Sequence, residues 1–197
     1  MAPLPYVDAG AKTALYVVLG MLGASEWSIR VRSGINRGGT RLDRGSFYVV
    51  IVTAVLGFAA AFAFASGVLS AGITTARWPI FIAGLVIVIL GIAFRQWAVL
   101  ALGQFFTVQV RVRSDQTVVD TGPYRWVRHP SYTGIIVSFV GIGVALENWL
   151  SLAALVVIPT IGLVVRIRVE ERVLLDALGE PYREFAQSRA RLIPKLW

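Results

Sequence analysis

Apolar residues in this chain fall into five long blocks. Ser46 to Leu69 carries no charge, Trp78 to Phe94 runs unbroken to Arg95, and the same block resumes from Gln96 to Leu102. Tyr132 to Leu146 and Asn148 to Val165 are divided only by Glu147, and Thr13 to Ile29 is apolar apart from Glu26 and a few hydroxyl side chains. About 20 mainly apolar residues suffice to cross a bilayer. The pattern therefore predicts an all-α integral membrane protein with five transmembrane helices, at residues 13–30, 47–70, 78–102, 131–147 and 149–166. Glu147-Asn148 leaves room only for a tight helical hairpin. Beyond 166, Val169, Val173, Leu174 and Leu178 keep helical spacing, so the last helix runs on out of the membrane to Gly179, which fits a C′ position. Pro181 suits the first turn of a further helix, with Tyr182 and Phe185 on one face.

Between the third and fourth blocks the period changes. Thr107 to Arg113 alternates strictly, which is a strand pattern. Ser114-Asp115-Gln116 reads as a turn and Thr117-Val118-Val119 as a short return strand, giving a small extended hairpin. Its plain reading is a surface connection between two spans. Lined up beside a cavity, it would offer backbone N–H and C=O groups to a ligand.

Composition agrees with a membrane protein. The chain is 56% apolar with a mean hydropathy of +0.70, above what soluble domains carry. Its net charge of +8 comes almost wholly from arginine. Placement of that charge argues for membrane topology rather than nucleic-acid binding. Arg30, Arg32, Arg37, Arg41 and Arg44 lie between the first two spans, Arg111, Arg113, Arg125 and Arg128 between the third and fourth, and more arginines with Lys195 after the fifth. The loop between spans two and three holds only Arg77. Cytoplasmic loops carry the excess of Lys and Arg. Five spans with the N-terminus outside put all three basic regions, and the C-terminal helices, on the cytoplasmic side. A cleaved signal peptide fits the first block poorly, because Asp8 precedes it and no small-residue cleavage pattern follows. Trp197 and Lys195 suit an interfacial anchor. There is no cysteine, hence no thiolate ligand, disulfide or thiol nucleophile.

Chemistry-bearing residues concentrate after residue 100. His129, the sole histidine, precedes Pro130, which is favoured at a first helical position. The fourth span would then begin with free N–H groups and the positive end of its dipole at the basic surface, where carboxylates and phosphates bind. Arg125, Arg128, Tyr124 and Tyr132 flank it. The same residues also describe a helix start with interfacial anchors. Arg166 and Glu170 share a helix face four residues apart. Exposed, such a pair stabilises by only about 0.2–0.5 kcal/mol. At a membrane border it marks a functional candidate: Glu170 to accept hydrogen bonds from a cofactor, Arg166 to hold a substrate carboxylate in its fork. Arg95 reads as a snorkelling side chain, with a place in a cavity as the alternative, and Glu26 as the i,i+4 partner of Arg30. One histidine without cysteine argues against a zinc site.

Gly122-Pro123-Tyr124, then Arg128-His129-Pro130-Ser131-Tyr132 and Gly134, then two spans, then Arg166 with Glu170-Glu171, then Leu178-Gly179 and Tyr182, resembles the isoprenylcysteine carboxyl methyltransferase family of integral membrane enzymes. The resemblance covers roughly residues 100–197 and rests on the order and spacing of three motifs. It implies S-adenosylmethionine as methyl donor, with S-adenosylhomocysteine as product, in a cytoplasm-facing pocket of a five-helix prokaryotic-type membrane core. It implies donor contacts at Gln109, Gln116, Thr117, Val118, Val119, Tyr124, His129, Pro130, Ser131, Tyr132 and Glu170, a substrate-side role for Arg166, and His129 or Glu170 as available bases. Gln116 stands where eukaryotic members often carry His. On this reading residues 1–102 form a three-helix transmembrane part and 103–197 the methyltransferase core. The acceptor would be a lipid-like or isoprenoid molecule, a carboxylate among the options, reached from the membrane of a prokaryotic cell; no protein partner is evident. Two other readings stand beside it: an NADPH-dependent membrane reductase of the sterol-reductase kind, using the arginines for phosphates, and a non-catalytic membrane scaffold.

Overall fold

The computed structural model describes residues 1–35, 40–43 and 45–194. Arg37 and Arg44 of the first basic loop, and the anchor at Lys195 and Trp197, lie outside the described residues. Helices α1 (Leu4–Val7), α2 (Ala9–Ile35), α3 (Ser46–Gly67), α4 (Arg77–Leu102), α5 (Pro130–Ala145), α6 (Trp149–Leu178) and α7 (Glu180–Ser188) follow in chain order. Two short strands, β1 (Thr40–Arg41) and β2 (Arg111–Val112), are interleaved with them.

Each of the five apolar blocks is helical. Three of the helical stretches, Ser46–Gly67, Arg77–Phe105 and Trp149–Leu178, are long and apolar enough to cross a membrane; α5 is shorter, and α2 is long but carries Lys12, Glu26, Arg30 and Arg32. Val52, Val55 and Leu56 on α3, Ile82, Val86 and Leu90 on α4, and Val157 and Ile161 on α6 remain exposed. An exposed apolar surface of that extent suits lipid, not water.

Small residues set the packing. A Cβ on Gly91 would lie 2.6 Å from the Ser138 nitrogen, on Gly141 2.6 Å from the Val88 nitrogen, and on Gly134 2.9 Å from the Arg95 Cα. Helices α4 and α5 therefore touch backbone to backbone. Lipid supplies no hydrophobic force between helices, so such close approach is a main source of cohesion. Helix α3 pairs with α6 in the same way, Gly57 receiving the ring of Pro159. A shared core of Leu15, Phe81, Val88, Phe139, Ile142, Leu146 and Leu155 ties α2, α4, α5 and α6 together.

Local signals place the helix ends. Pro130 sits in the first turn of α5, with His129 as its cap residue. The turn into α6 uses Glu147 at φ 48°, and Asn148 Oδ1 accepts from the amides of Leu150 (3.0 Å) and Ser151 (3.1 Å), a cap that stabilises by about 1 kcal/mol. Gly179, at φ 60°, ends α6 and leads into α7. At this turn end of the bundle, the Glu147 carboxylate accepts from the Leu4 amide (2.9 Å) and from Arg77 Nη2 (3.0 Å), while Arg77 Nη2 also donates to the Ala2 carbonyl (2.7 Å).

The extended segment departs from the expected hairpin. The chain does turn at Ser114-Asp115, with the Gln116 amide donating to the Arg113 carbonyl (3.2 Å). However, β2 pairs antiparallel with β1, Thr40 opposite Val112 and Arg41 opposite Arg111, and residues 117–119 form no strand. The β1 backbone takes the hydrogen bonds that the return strand was expected to use.

Candidate active site

The end of the bundle opposite Glu147 encloses a cavity of about 570 Å³, within the usual range for small-molecule sites. One part of its wall is apolar, with Leu22 from α2, Val50, Ala54 and Phe58 from α3, and Ile135 and Phe139 from α5. The other part is polar and gathers residues from distant segments. Gln109, Gln116, Thr117, Val118, Val119, Tyr124, His129, Ser131, Tyr132, Arg166 and Glu170 all line it. Pro130 does not; it is buried in the first turn of α5, where it starts the helix.

Tyr132 stands at the centre. Its hydroxyl donates to Glu170 Oε2 (2.6 Å) and accepts from Arg166 Nε (3.3 Å). Its ring stacks on His129, centroids 5.5 Å apart and planes within 14°. Arg166, 3% exposed, is not an open fork. Its Nη1 pairs with Asp43 Oδ1 and donates to Ser46 Oγ (2.8 Å), and its Nη2 donates to the Val108 carbonyl (2.7 Å). Ser46 in turn donates to Asp43 (2.9 Å). The arginine thus binds the start of α3 and the 107–110 segment to α6.

His129 is held on two sides. Its Nε2 lies 3.3 Å from Glu171 Oε1 and its Nδ1 3.9 Å from Glu170 Oε2. Glu171 also pairs with Arg128 Nη1 (2.7 Å) and Arg191 Nε (3.0 Å). The amides of Arg128 and His129 donate to the carbonyls of Ala190 and Arg191, and Thr133 Oγ1 donates to the Leu192 carbonyl (2.8 Å). The C-terminal segment is thereby strapped across the start of α5. Tyr124 and Tyr182 pack on each other's cluster with Ala98 and Phe185. Burial pushes both phenols well above their ordinary range, and the Glu170 charge adds to the rise. Both phenols therefore stay neutral well into the alkaline range.

Two expectations need correction. Arg95 does not snorkel: it is 7% exposed and lines the cavity. Glu26 pairs with Arg95 rather than Arg30, through Nε (2.5 Å) and Nη2 (2.8 Å), and Arg95 Nη1 donates to Ser131 Oγ (2.6 Å). The physical reason is that α2 packs on α4 here, so a neighbouring helix offers a charged partner nearer than the interface. Sequence reading also passed over Asp43, which had no motif around it, and Glu171, which stood in a motif but without a role. A charged residue at the head of an uncharged span was the available signal for Asp43. Among the described residues, no cluster of three His, Asp or Glu is arranged to hold a metal.

Residues 83–176 match the model of the isoprenylcysteine carboxyl methyltransferase family. Protein-S-isoprenylcysteine O-methyltransferase B of Arabidopsis thaliana is 35% identical over 113 residues, covering 56% of this chain and 57% of the plant protein. Methanethiol S-methyltransferase 1 of Bradyrhizobium diazoefficiens is 42% identical over 71 residues, covering 36% of this chain and 24% of the bacterial protein. The chain spans little more than half the length of the first plant relatives it matches, 57% and 59%. A solved structure of the eukaryotic intramembrane Ras methyltransferase, an isoprenylcysteine carboxyl methyltransferase, superposes with a TM-score of 0.66 at 23% identity, covering 98% of this chain and 70% of that one. At that identity the likeness carries the fold alone.

Proposed function

We propose that the protein is an integral membrane methyltransferase that uses S-adenosylmethionine and a lipophilic acceptor, starting from the match of residues 83–176 to the isoprenylcysteine carboxyl methyltransferase family. The observation that carries this reading is one cavity with two chemistries. Its polar wall is built on Glu170, Tyr132 and His129, and its apolar wall on Val50, Phe58 and Phe139. A charged donor and an oily acceptor can meet there without either being forced into the other's surroundings.

The residues fit the donor. Glu170 is a carboxylate whose partner is a neutral hydroxyl, suited to an ammonium or ribose hydroxyls. The start of α5 offers the positive end of a helix dipole to a carboxylate. Tyr124 and the 116–119 segment supply ring face and backbone beside it. When bound, S-adenosylmethionine supplies a methyl group on a sulfonium, already activated for displacement. The protein's part is then mainly to align the partners and exclude water. Tyr132 holds Glu170 in place, and the strap at residues 190–192 fixes His129 and Thr133. We read the chain as five spans with the N-terminus outside and the cavity facing the cytoplasm of a prokaryotic cell. On this reading residues 103–197 supply the methyltransferase core, and the three preceding spans, with Ile135 and Phe139 of α5, supply the acceptor wall.

Titration of the purified protein with S-adenosylmethionine, S-adenosylhomocysteine and NADPH tests the reading. Donor and product are expected to bind and NADPH not. Preference for NADPH would sink the methyltransferase in favour of a reductase, and no binding of any of the three would favour a scaffold. Glu170→Ala is expected to abolish donor binding; an unchanged affinity would remove Glu170 from the donor site.

A further inference from the structure

Glu171 stands behind the cavity wall rather than on it, yet three side chains converge on its carboxylate. Arg128 Nη1 lies 2.7 Å away, Arg191 Nε 3.0 Å and His129 Nε2 3.3 Å. Two guanidinium partners hold Glu171 ionised, and an ionised carboxylate only accepts. The proton between Glu171 and His129 therefore belongs to Nε2. The hydrogen bond made by one ring nitrogen decides the state of the other. The other, Nδ1, lies on the Glu170 side, 3.9 Å from Oε2 and beyond hydrogen-bond reach. The ring cannot easily turn to close that gap. It stacks on Tyr132, and its backbone amide is tied to the Arg191 carbonyl.

A bare Nδ1 and the Glu170 carboxylate are then two acceptors side by side, and both residues line the cavity. Glu170 Oε2 has only the Tyr132 hydroxyl as donor. Acceptors this close repel one another unless a donor group joins them. A lone hydroxyl has one O–H to give, whereas an ammonium brings three N–H donors and a positive charge for Glu170. Resting on the methyltransferase reading, we propose that Glu171 is a positioning residue that locks His129 as the Nε2–H tautomer. Nδ1 and Glu170 thereby form a two-point clip for the ammonium of the methyl donor. Glu171 never touches the ligand; it acts through the ring of His129, as outer partners orient the histidines of metal sites.

The sole histidine makes the test direct, because isotope-labelled histidine reports on one ring. Nitrogen NMR spectra of the full-length protein in detergent micelles, without ligand, are expected to show a protonated Nε2 and a bare Nδ1. A bare Nε2, or two protonated nitrogens, overturns the proposal. Saturation with S-adenosylhomocysteine is expected to move the Nδ1 signal and leave Nε2 nearly fixed. Methylthioadenosine, which lacks the ammonium, is expected to move neither; equal movement with both ligands overturns the ammonium clip. Glu171→Gln is expected to let the Nδ1–H tautomer appear and to weaken S-adenosylhomocysteine binding about tenfold. Added to His129→Ala it should cost nothing further, since both changes act through one ring. Additive losses would make Glu171 merely structural and overturn its role. Should Glu171→Gln not fold, Glu171→Asp keeps the charge between the arginines, withdraws it from Nε2, and is read in the same way. A wild type with the expected ligand-free spectrum that binds no S-adenosylhomocysteine strikes the methyltransferase reading and the clip, but leaves the tautomer lock standing, so the two failures are distinguishable.

Discussion

A single hydroxyl, that of Tyr132, lies between a carboxylate and a guanidinium. Tyr132→Phe removes only that oxygen and keeps the ring on His129. Hydrogen bonds to charged groups contribute about 1.5–3 kcal/mol, so methyl transfer is expected to fall by roughly 10- to 100-fold. Steady-state kcat/KM measures this, with thermal unfolding to show that the fold is kept; wild-type turnover would make the hydroxyl incidental. Arg166→Ala is expected to harm turnover more than donor affinity, and to lower the melting temperature, because it strands buried Asp43. Weakened donor binding with intact turnover would instead make Arg166 a donor residue. Tyr132, His129 and Glu170 were legible beforehand because each sits in a short motif with a physical meaning, a helix start or an i,i+4 face. Asp43 was not. Its partner is remote in sequence, and local periodicity carries no information about which helix end will face which.

Glycines govern the next scale. Gly141→Ala would put a Cβ 2.6 Å from the Val88 backbone, which cannot retreat as a side-chain tip can. Overpacking of this kind costs about 1–3 kcal/mol, and a lowered unfolding temperature in detergent is expected. Gly23→Ala has nothing within 4 Å and is expected to be neutral or slightly stabilising, since alanine favours helix. Equal effects at the two sites would contradict the α4–α5 contact. Helices were readable from the sequence because apolar blocks, Pro130, Asn148 and Gly179 mark their bodies and ends. The strand was half readable: alternation from Thr107 to Arg113 announced extended backbone, but alternation names no partner. Thr40-Arg41, the segment that does pair, shows no alternation of its own and lies inside a charged loop.

For the whole molecule, the distribution of arginine predicts a single orientation, and the absence of cysteine makes that simple to test. Ser70 and Ser114 are both exposed. Ser70→Cys is expected to react with an impermeant maleimide in intact cells, and Ser114→Cys only after permeabilisation; the opposite pattern would invert the topology, and labelling of both from one side would refute the span count. Charge placement was readable in the sequence because it is a sum over loops. How the halves interlock was not, since it depends on contacts that span most of the chain. The far end of the bundle is the extreme case. The Leu4 amide rests on a carboxylate 143 positions later, and the Ala2 carbonyl on Arg77, which that same carboxylate also holds. In the order of translation, Leu4 has no carboxylate to rest on until the α5–α6 turn has been synthesised. Closure of that end is therefore a late step of biogenesis, and a ribosome stalled before Glu147 would leave α1 without its anchor.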